Sequence, residues 1–208
     1  MWKLVVGSLL AVGGLAYFVL GAQSVEEPPY KVLKSEASIE LREYAPYLIA
    51  KTSVAGSYRL GTKEGFNRLA GYIFGGNTTK ASLAMTAPVT QERTSEKLAM
   101  TAPVTQEQQG ENWVMTFTMP TGYTLESLPT PLDSRVTLEA VPGHLELVYR
   151  FSGTFSDAAL PEHSATLLAW AQQNGYRPIS SARLAGYNPP WTPPFMRRNE
   201  VLIAVAPL

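Results

Sequence analysis

The sequence predicts an α+β domain in which antiparallel strands curl around a core and two helices lie against them. Three observations carry this. Runs with strand periodicity recur at Ser38–Tyr44, Tyr47–Val54, Trp113–Met119, Arg135–Ala140, Leu145–Phe151 and Glu200–Ala206, with apolar residues on alternate positions or in short continuous stretches. Twice the period lengthens to that of a helix. The order strands, helix, strands also occurs twice, with faint echoes between the halves: Ala45-Pro46 through Ser57-Tyr58 matches Val141-Pro142 through Thr154-Phe155, and Val114–Pro120 matches Val201–Pro207. An internally duplicated domain accounts for both.

The elements follow in chain order. Leu4–Ala22 is nineteen residues without a charge, preceded by Lys3 and followed by Glu26 and Glu27. That length crosses a bilayer as a helix, and the flanking charge leaves the remainder on the extracytoplasmic side. The competing reading is a cleaved signal peptide ending at Ala22-Gln23-Ser24, which leaves a secreted or periplasmic protein. Residues 1–25 are therefore an anchor or signal segment, and 26–208 the folded domain, joined by a short Pro-bearing linker at Glu26–Tyr30. Phe66, Leu69, Ala70, Ile73 and Phe74 share one helical face, with Thr62 as N-cap and Gly75-Gly76 as stop. The second helix spans Pro161–Asn174 with Leu167, Leu168 and Ala171 inward, and Gly186–Pro194 is irregular because four prolines remove donors.

One phrase is repeated without change: LAMTAPVTQE occupies residues 83–92 and again 98–107, separated by RTSEK. Each copy has strand alternation, and Pro88 and Pro103 mark an edge or a bulge. The expected picture is two equivalent strands folded back, or one strand in the sheet with its duplicate displaced outward.

Composition narrows the function. Lys+Arg and Asp+Glu both number 17 and no basic stripe stands out, which argues against nucleic acid. The absence of cysteine excludes disulfides, thiolate catalysis and Cys-held zinc, and His144 and His163 are too few for a His-rich metal site. Enzyme templates are also absent. There is no nucleophile elbow, Gly75-Gly76 reads as a helix stop and not a phosphate loop, and Glu139 and Glu146 lack the spacing logic of a carboxylate pair.

Glu27–Val32 (EPPYKV), Ile39–Pro46 (IELREYAP), Phe66–Asn77 (FNRLAGYIFGGN), the M-T-A-P-V phrase, Trp113–Pro120, Tyr123–Pro129 (YTLESLP) and Tyr187–Val201 (YNPPWTPPFMRRNEV) together resemble the SOUL haem-binding family, in order along almost the whole domain. The resemblance implies a distorted antiparallel β-barrel with two flanking helices and a pseudo-twofold duplication. It also implies non-covalent binding of haem or a related tetrapyrrole by a carrier or buffer and not an enzyme. Such a ligand needs a flat apolar slot and cations for its propionates. The resemblance places the site near the first helix and a late loop. On the helix the candidates are Lys63, Phe66, Arg68, Leu69, Tyr72 and Ile73. On the loop they are Tyr187, Trp191 and Phe195 for stacking and Arg197 and Arg198 for carboxylates.

Bland alternatives stay open beside these. The helix face serves as core, Trp191 and Phe195 pin the loop, and the arginines are solvated. Some relatives carry a histidine in the segment matching Ile39–Tyr44, where this chain has Glu43 and Tyr44. Iron ligation is then loose, or uses Tyr or Met. The alternative functions are a binding module for another apolar molecule or lipid, and an interaction domain.

Overall fold

The computed structural model describes residues 26–79, 97–98, 100–155 and 159–208. In chain order it contains β1 (Tyr30–Glu36), β2 (Ile39–Tyr44), β3 (Tyr47–Ala55), α1 (Tyr58–Ile73), β4 (Asn77–Thr78), β5 (Val104–Gln109), β6 (Asn112–Thr118), β7 (Thr130–Pro131), β8 (Thr137–Val141), β9 (His144–Phe151), α2 (Ala159–Gln173), β10 (Tyr176–Pro178), β11 (Arg183–Gly186) and β12 (Asn199–Pro207). The Leu4–Ala22 run and the first copy of the repeated phrase lie outside the described residues. Among those that are described, no helix is long and apolar enough to cross a membrane.

One antiparallel sheet runs β1-β2-β9-β12-β11-β5-β6-β3-β8, with β10 added on β12, while β4 and β7 form a separate pair. The order is symmetric about its middle. β8-β3-β6-β5 and β2-β9-β12-β11 are equivalent halves, and they meet where β11 pairs with β5. Each half borrows its outer strand, since β2 precedes β3 in sequence but pairs with β9, and β8 precedes β9 but pairs with β3. Only Ala45-Pro46 joins β2 to β3 and only Pro142-Gly143 joins β8 to β9, although each pair is far apart in the sheet. Two-residue links cannot span a flat sheet of that width at about 4.8 Å per strand. The sheet therefore curls into a half-barrel that brings its ends together. The two links touch: a side chain at Gly143 would meet the Tyr44 carbonyl at 3.1 Å and the Pro46 ring at 3.5 Å.

Both helices lie on the convex face. Leu69, Tyr72 and Ile73 of α1 pack with Ala50, Met115 and Phe117, while Leu167, Trp170 and Ala171 of α2 pack with Leu147, Val201 and Ile203. Helix α1 starts earlier than its apolar pattern suggests. Ser57, not Thr62, is the N-cap, its hydroxyl accepting from the Leu60 N–H, and Thr62 instead donates to the Tyr58 carbonyl inside the helix. The buried stripe continues toward the N-terminus through Gly61 and Gly65, which hydrophobic periodicity does not register. They let α1 lie flush on β6, for a Cβ at Gly61 would fall 2.6 Å from that of Trp113. In α2 Leu168 points outward at 43% exposed and Trp170 takes the inward place, because Leu168 is about 100° around the helix from Leu167.

Of the second copy of the repeated phrase, only Val104–Glu107 is strand, continuing to Gln109 as β5. The part before it is irregular but bound in: Leu98 is in the core, its N–H bonded to the Ile73 carbonyl, and the Ala102 N–H bonds the Glu26 carbonyl. This copy supplies the strand that joins the two halves. Deleting residues 93–107 sets Glu92 before Gln108 and regenerates LAMTAPVTQEQQ letter for letter. The deletion is expected to unfold cooperatively within a few degrees of the parent in a thermal melt. Loss of the cooperative transition shows instead that both copies are required.

Candidate functional site

The concave face of the half-barrel carries charged and polar side chains around a small apolar cluster of Val148, Ala185 and Leu202. Strand period puts Arg42, Tyr44, Tyr47, Lys51, Glu139, Glu146, Arg183 and Glu200 there, opposite the residues that meet the helices. Arg42 and Glu200, 1% and 0% exposed in their side chains, form a two-pronged pair at 2.9 Å for each prong. Arg42 also donates to Glu40 at 2.7 Å and lies over the Tyr30 ring. Glu200 additionally accepts from the Tyr187 hydroxyl and, at 2.9 Å, from Arg198 Nε. Beside this pair, on the strand position neighbouring Arg42, the buried Glu146 pairs with Arg183, and in the other half Lys51 meets Glu139 at 3.2 Å. The Tyr44, Tyr47 and His144 rings cluster at the linked corners, with centroids 5.6–6.2 Å apart.

Burial alone would raise the Glu146 and Glu200 carboxyls. The neighbouring cations reverse this: Arg183 with His144 holds Glu146 below the usual carboxylate range, and Arg42 does the same for Glu200. His144 is raised by the Glu146 carboxylate 3.9 Å from its Nε2, against the opposing effect of burial, and burial pushes Tyr47 up to about 12. Both carboxylates are thus ionised and paired at neutral pH. The interior retains only about 200 Å³, below the roughly 300–1,000 Å³ of cofactor-sized sites.

Space of that size lies on the convex face. α1 packs on β3 and β6 and reaches β5, where the Thr62 hydroxyl meets Gln106 Oε1 at 2.9 Å, while α2 packs on β9, β10 and β12 and Leu184 of β11 joins its apolar cluster. The groove between the helices holds about 660 Å³, walled by Tyr58 and Trp113 on one side, Leu160 and Pro161 on the other, with Ala182 and Leu184 beneath and Gln108, Ser164 and Ser181 lining it too. Tyr58 and Trp113 are set edge to face at 5.1 Å. The groove's volume is within the range of cofactor-sized sites. Among the described residues its lining holds no His, Cys or Met and one phenol, that of Tyr58. Nor do the described residues group three His, Asp or Glu side chains that could hold a metal ion. His163 is stacked on Tyr149 at 4.3 Å.

The residues expected on sequence grounds are placed as follows. Leu69, Tyr72 and Ile73 are core, 0%, 2% and 1% exposed, and the Tyr72 hydroxyl donates to the Pro129 carbonyl. Phe66 is partly exposed, edge-on to Phe117, Lys63 is exposed, and Arg68 bonds Glu64 and the Ser53 carbonyl. Phe195, Arg197 and Arg198 do come together, lining a shallow groove of about 640 Å³ with Tyr149, Arg150 and Phe151. The α1 residues are absent from its lining, so the two sets do not form one pocket. Trp191 and Phe195 do not pin the loop, being 78% and 77% exposed. Arg197 braces it by donating to the Thr192 and Pro190 carbonyls. Arg198 is spent on Glu200 and Glu27 and lies 3.8 Å from the Tyr187 ring centroid.

The molecule thus combines a curled sheet, an ion-paired interior and an apolar groove between its helices. The family model described as SOUL heme-binding protein matches residues 25–204. The chain belongs to that haem-binding family; with no cysteine, haem or a related tetrapyrrole is its non-covalent ligand class. No curated protein matches the sequence. Among solved structures, the EcmrR C-terminal domain superposes with a TM-score of 0.55 at 13% identity, covering 86% of this chain and 99% of that one. A hydrolase from Listeria innocua gives 0.56 at 13%, covering 84% and 94%. At such identities the likeness is one of fold.

Glu200→Leu leaves the Arg42 guanidinium buried without its two-pronged partner, with Glu40 its remaining carboxylate. It is expected to cost about 3–5 kcal/mol in chemical denaturation, and adding Arg42→Met to recover most of that loss. Equal instability of the single and double variants contradicts a pairing role.

Proposed function

We propose that the protein is a non-enzymatic tetrapyrrole carrier or buffer, held at the membrane by its N-terminal segment with the domain on the extracytoplasmic side. The macrocycle lies in the groove between α1 and α2. The observation that carries this reading is the groove itself, which is cofactor-sized and apolar and lies over the junction of the two halves in a chain of a haem-binding family. Tyr58 and Trp113 supply flat apolar contact, Leu160 and Pro161 close the opposite wall, and Ser164 and Ser181 offer hydroxyls. The bound group supplies the light absorption and, where it carries iron, the redox chemistry. The chain supplies a surface that excludes water from the ring. With no imidazole or sulfur among the described lining residues, affinity comes mainly from the ring, as suits an agent that buffers or hands on its ligand. The uncharged Leu4–Ala22 run supports the membrane placement.

Titrating the full chain in lipid nanodiscs, against empty nanodiscs, with hemin and with metal-free protoporphyrin IX tests this. Each is expected to give a shifted Soret band saturating near one equivalent, with comparable affinities. Ser164→Trp, which fills the groove from the surface of α2, is expected to weaken both about tenfold or more without lowering the melting temperature. Spectra matching those with empty nanodiscs refute tetrapyrrole binding. Unchanged binding by Ser164→Trp refutes the groove as its place.

A further inference from the structure

The loop between β11 and β12 exposes large apolar side chains on a stiff frame. Trp191, Phe195 and Met196 are 78%, 77% and 55% exposed. This is not slackness. Pro189, Pro190, Pro193 and Pro194 restrict the backbone. The Thr192 N–H bonds the Pro189 carbonyl, Arg197 spans the loop to Thr192 and Pro190, and the Arg198 N–H closes its base on Asn188 Oδ1 at 2.6 Å. Pro194 is further fixed by accepting from the Gly153 N–H at 2.8 Å. A loop so braced holds its aromatic rings in the solvent at a cost that a purely structural loop has no reason to bear.

The position of the loop names its occupant. Arg198 at its base donates to Glu27 Oε1 at 2.7 Å, and Glu26 is fixed in turn by the Ala102 and Thr121 N–H groups. Glu27 is five residues after Ala22, where the uncharged N-terminal run ends. Five residues reach at most about 18 Å. Whatever surface that run enters therefore lies close to the loop base. Tryptophan and phenylalanine beside arginines are the side chains that favour a bilayer's headgroup region, where rings meet the acyl boundary and guanidinium groups meet phosphates. Arg150 stands beside Arg197 and Arg198 on the same groove, its side chain without hydrogen bond or ion pair among the described residues.

We propose that the Trp191–Met196 loop docks on the bilayer that residues 4–22 cross, seating Trp191 and Phe195 in the headgroup region and so fixing the orientation of the domain on the membrane. This rests on the anchored reading given under Proposed function. The ion pair between Glu27 and Arg198 then couples the anchor to the docking loop, and the ligand groove is held at a defined attitude to the lipid.

The chain has no cysteine, so single spin labels can be placed in the full-length protein. Met196→Cys reports the loop while leaving both rings in place. Ile179→Cys is the control, 53% exposed but adjoining Ala204 near the opposite end of β12. The chain is reconstituted in vesicles of phosphatidylcholine and phosphatidylglycerol, and flotation reports the anchor. The expected result is flotation with the label at 196 more accessible to oxygen than to a water-soluble nickel chelate, and the order inverted at 179. Adding Trp191→Ser and Phe195→Ser should return the 196 label to water while flotation persists. Flotation with both labels in water overturns the docking proposal and leaves the anchor standing. Dipolar broadening at 196 without oxygen preference makes the occupant a second copy of the chain and overturns it too. Failure to float overturns the anchored reading, and the docking proposal with it.

Discussion

The buried pair of Arg42 and Glu200 is the contact on which the rest of the molecule depends. It spans from β2 to β12 across β9, fastening the strand borrowed from the first half onto the second. Once desolvated, neither charge can be left alone, since an unpaired buried ion costs several kcal/mol. The pair therefore recruits further partners. Glu40 and the Tyr30 ring satisfy the arginine, and Tyr187 and Arg198 satisfy the carboxylate. Through Arg198 the network reaches Glu27 and the chain leading to the N-terminal segment.

That network, with Arg183–Glu146 and Lys51–Glu139, occupies the inside of the half-barrel. A barrel lined by apolar residues could have enclosed a ring system. This one is charged, paired and reduced to about 200 Å³. Under the proposed function an apolar ligand uses the outside, where the described residues leave the groove between the helices and the one beside the β11–β12 loop. Each helix packs mainly on its own half, α1 on β3 and β6 and α2 on β9, β10 and β12, and Tyr58 of α1 reaches the cluster under α2. The groove lies between the two helices, near the junction of β5 with β11.

Much of the architecture was legible in the sequence. The strand alternation of Tyr47–Val54 and Leu145–Phe151 and the helical spacing of Leu69 and Ile73 lead directly to β3, β9 and α1. What escaped has physical reasons. Alternation tells which residues oppose one another, not whether the polar set faces water, and here Arg42, Glu146 and Glu200 of β2, β9 and β12 are buried in the interior. Gly61 and Gly65 extend the packing face of α1 by having no side chain, so no apolar pattern announces them. β1 is an exposed edge strand without alternation, and β10 and β11 are three and four residues long. The groove was the hardest to foresee. Tyr58, Gln108, Trp113, Leu160 and Ser181 come from five separate segments, unremarkable singly and joined only by the fold. The loop was visible as a string of prolines and aromatic residues, but its exposure was not, because bracing by Arg197 is a matter of geometry.

The claim that the ion-paired interior turns the ligand out onto the convex face is tested most directly by a crystal structure of the protein with protoporphyrin IX. The account predicts the macrocycle between Tyr58 and Trp113 on one side and Leu160 and Pro161 on the other, with Arg42–Glu200 and Arg183–Glu146 undisturbed. A macrocycle inside the half-barrel, with either pair broken, or lying over Arg150 and Phe195 at the loop, would contradict it.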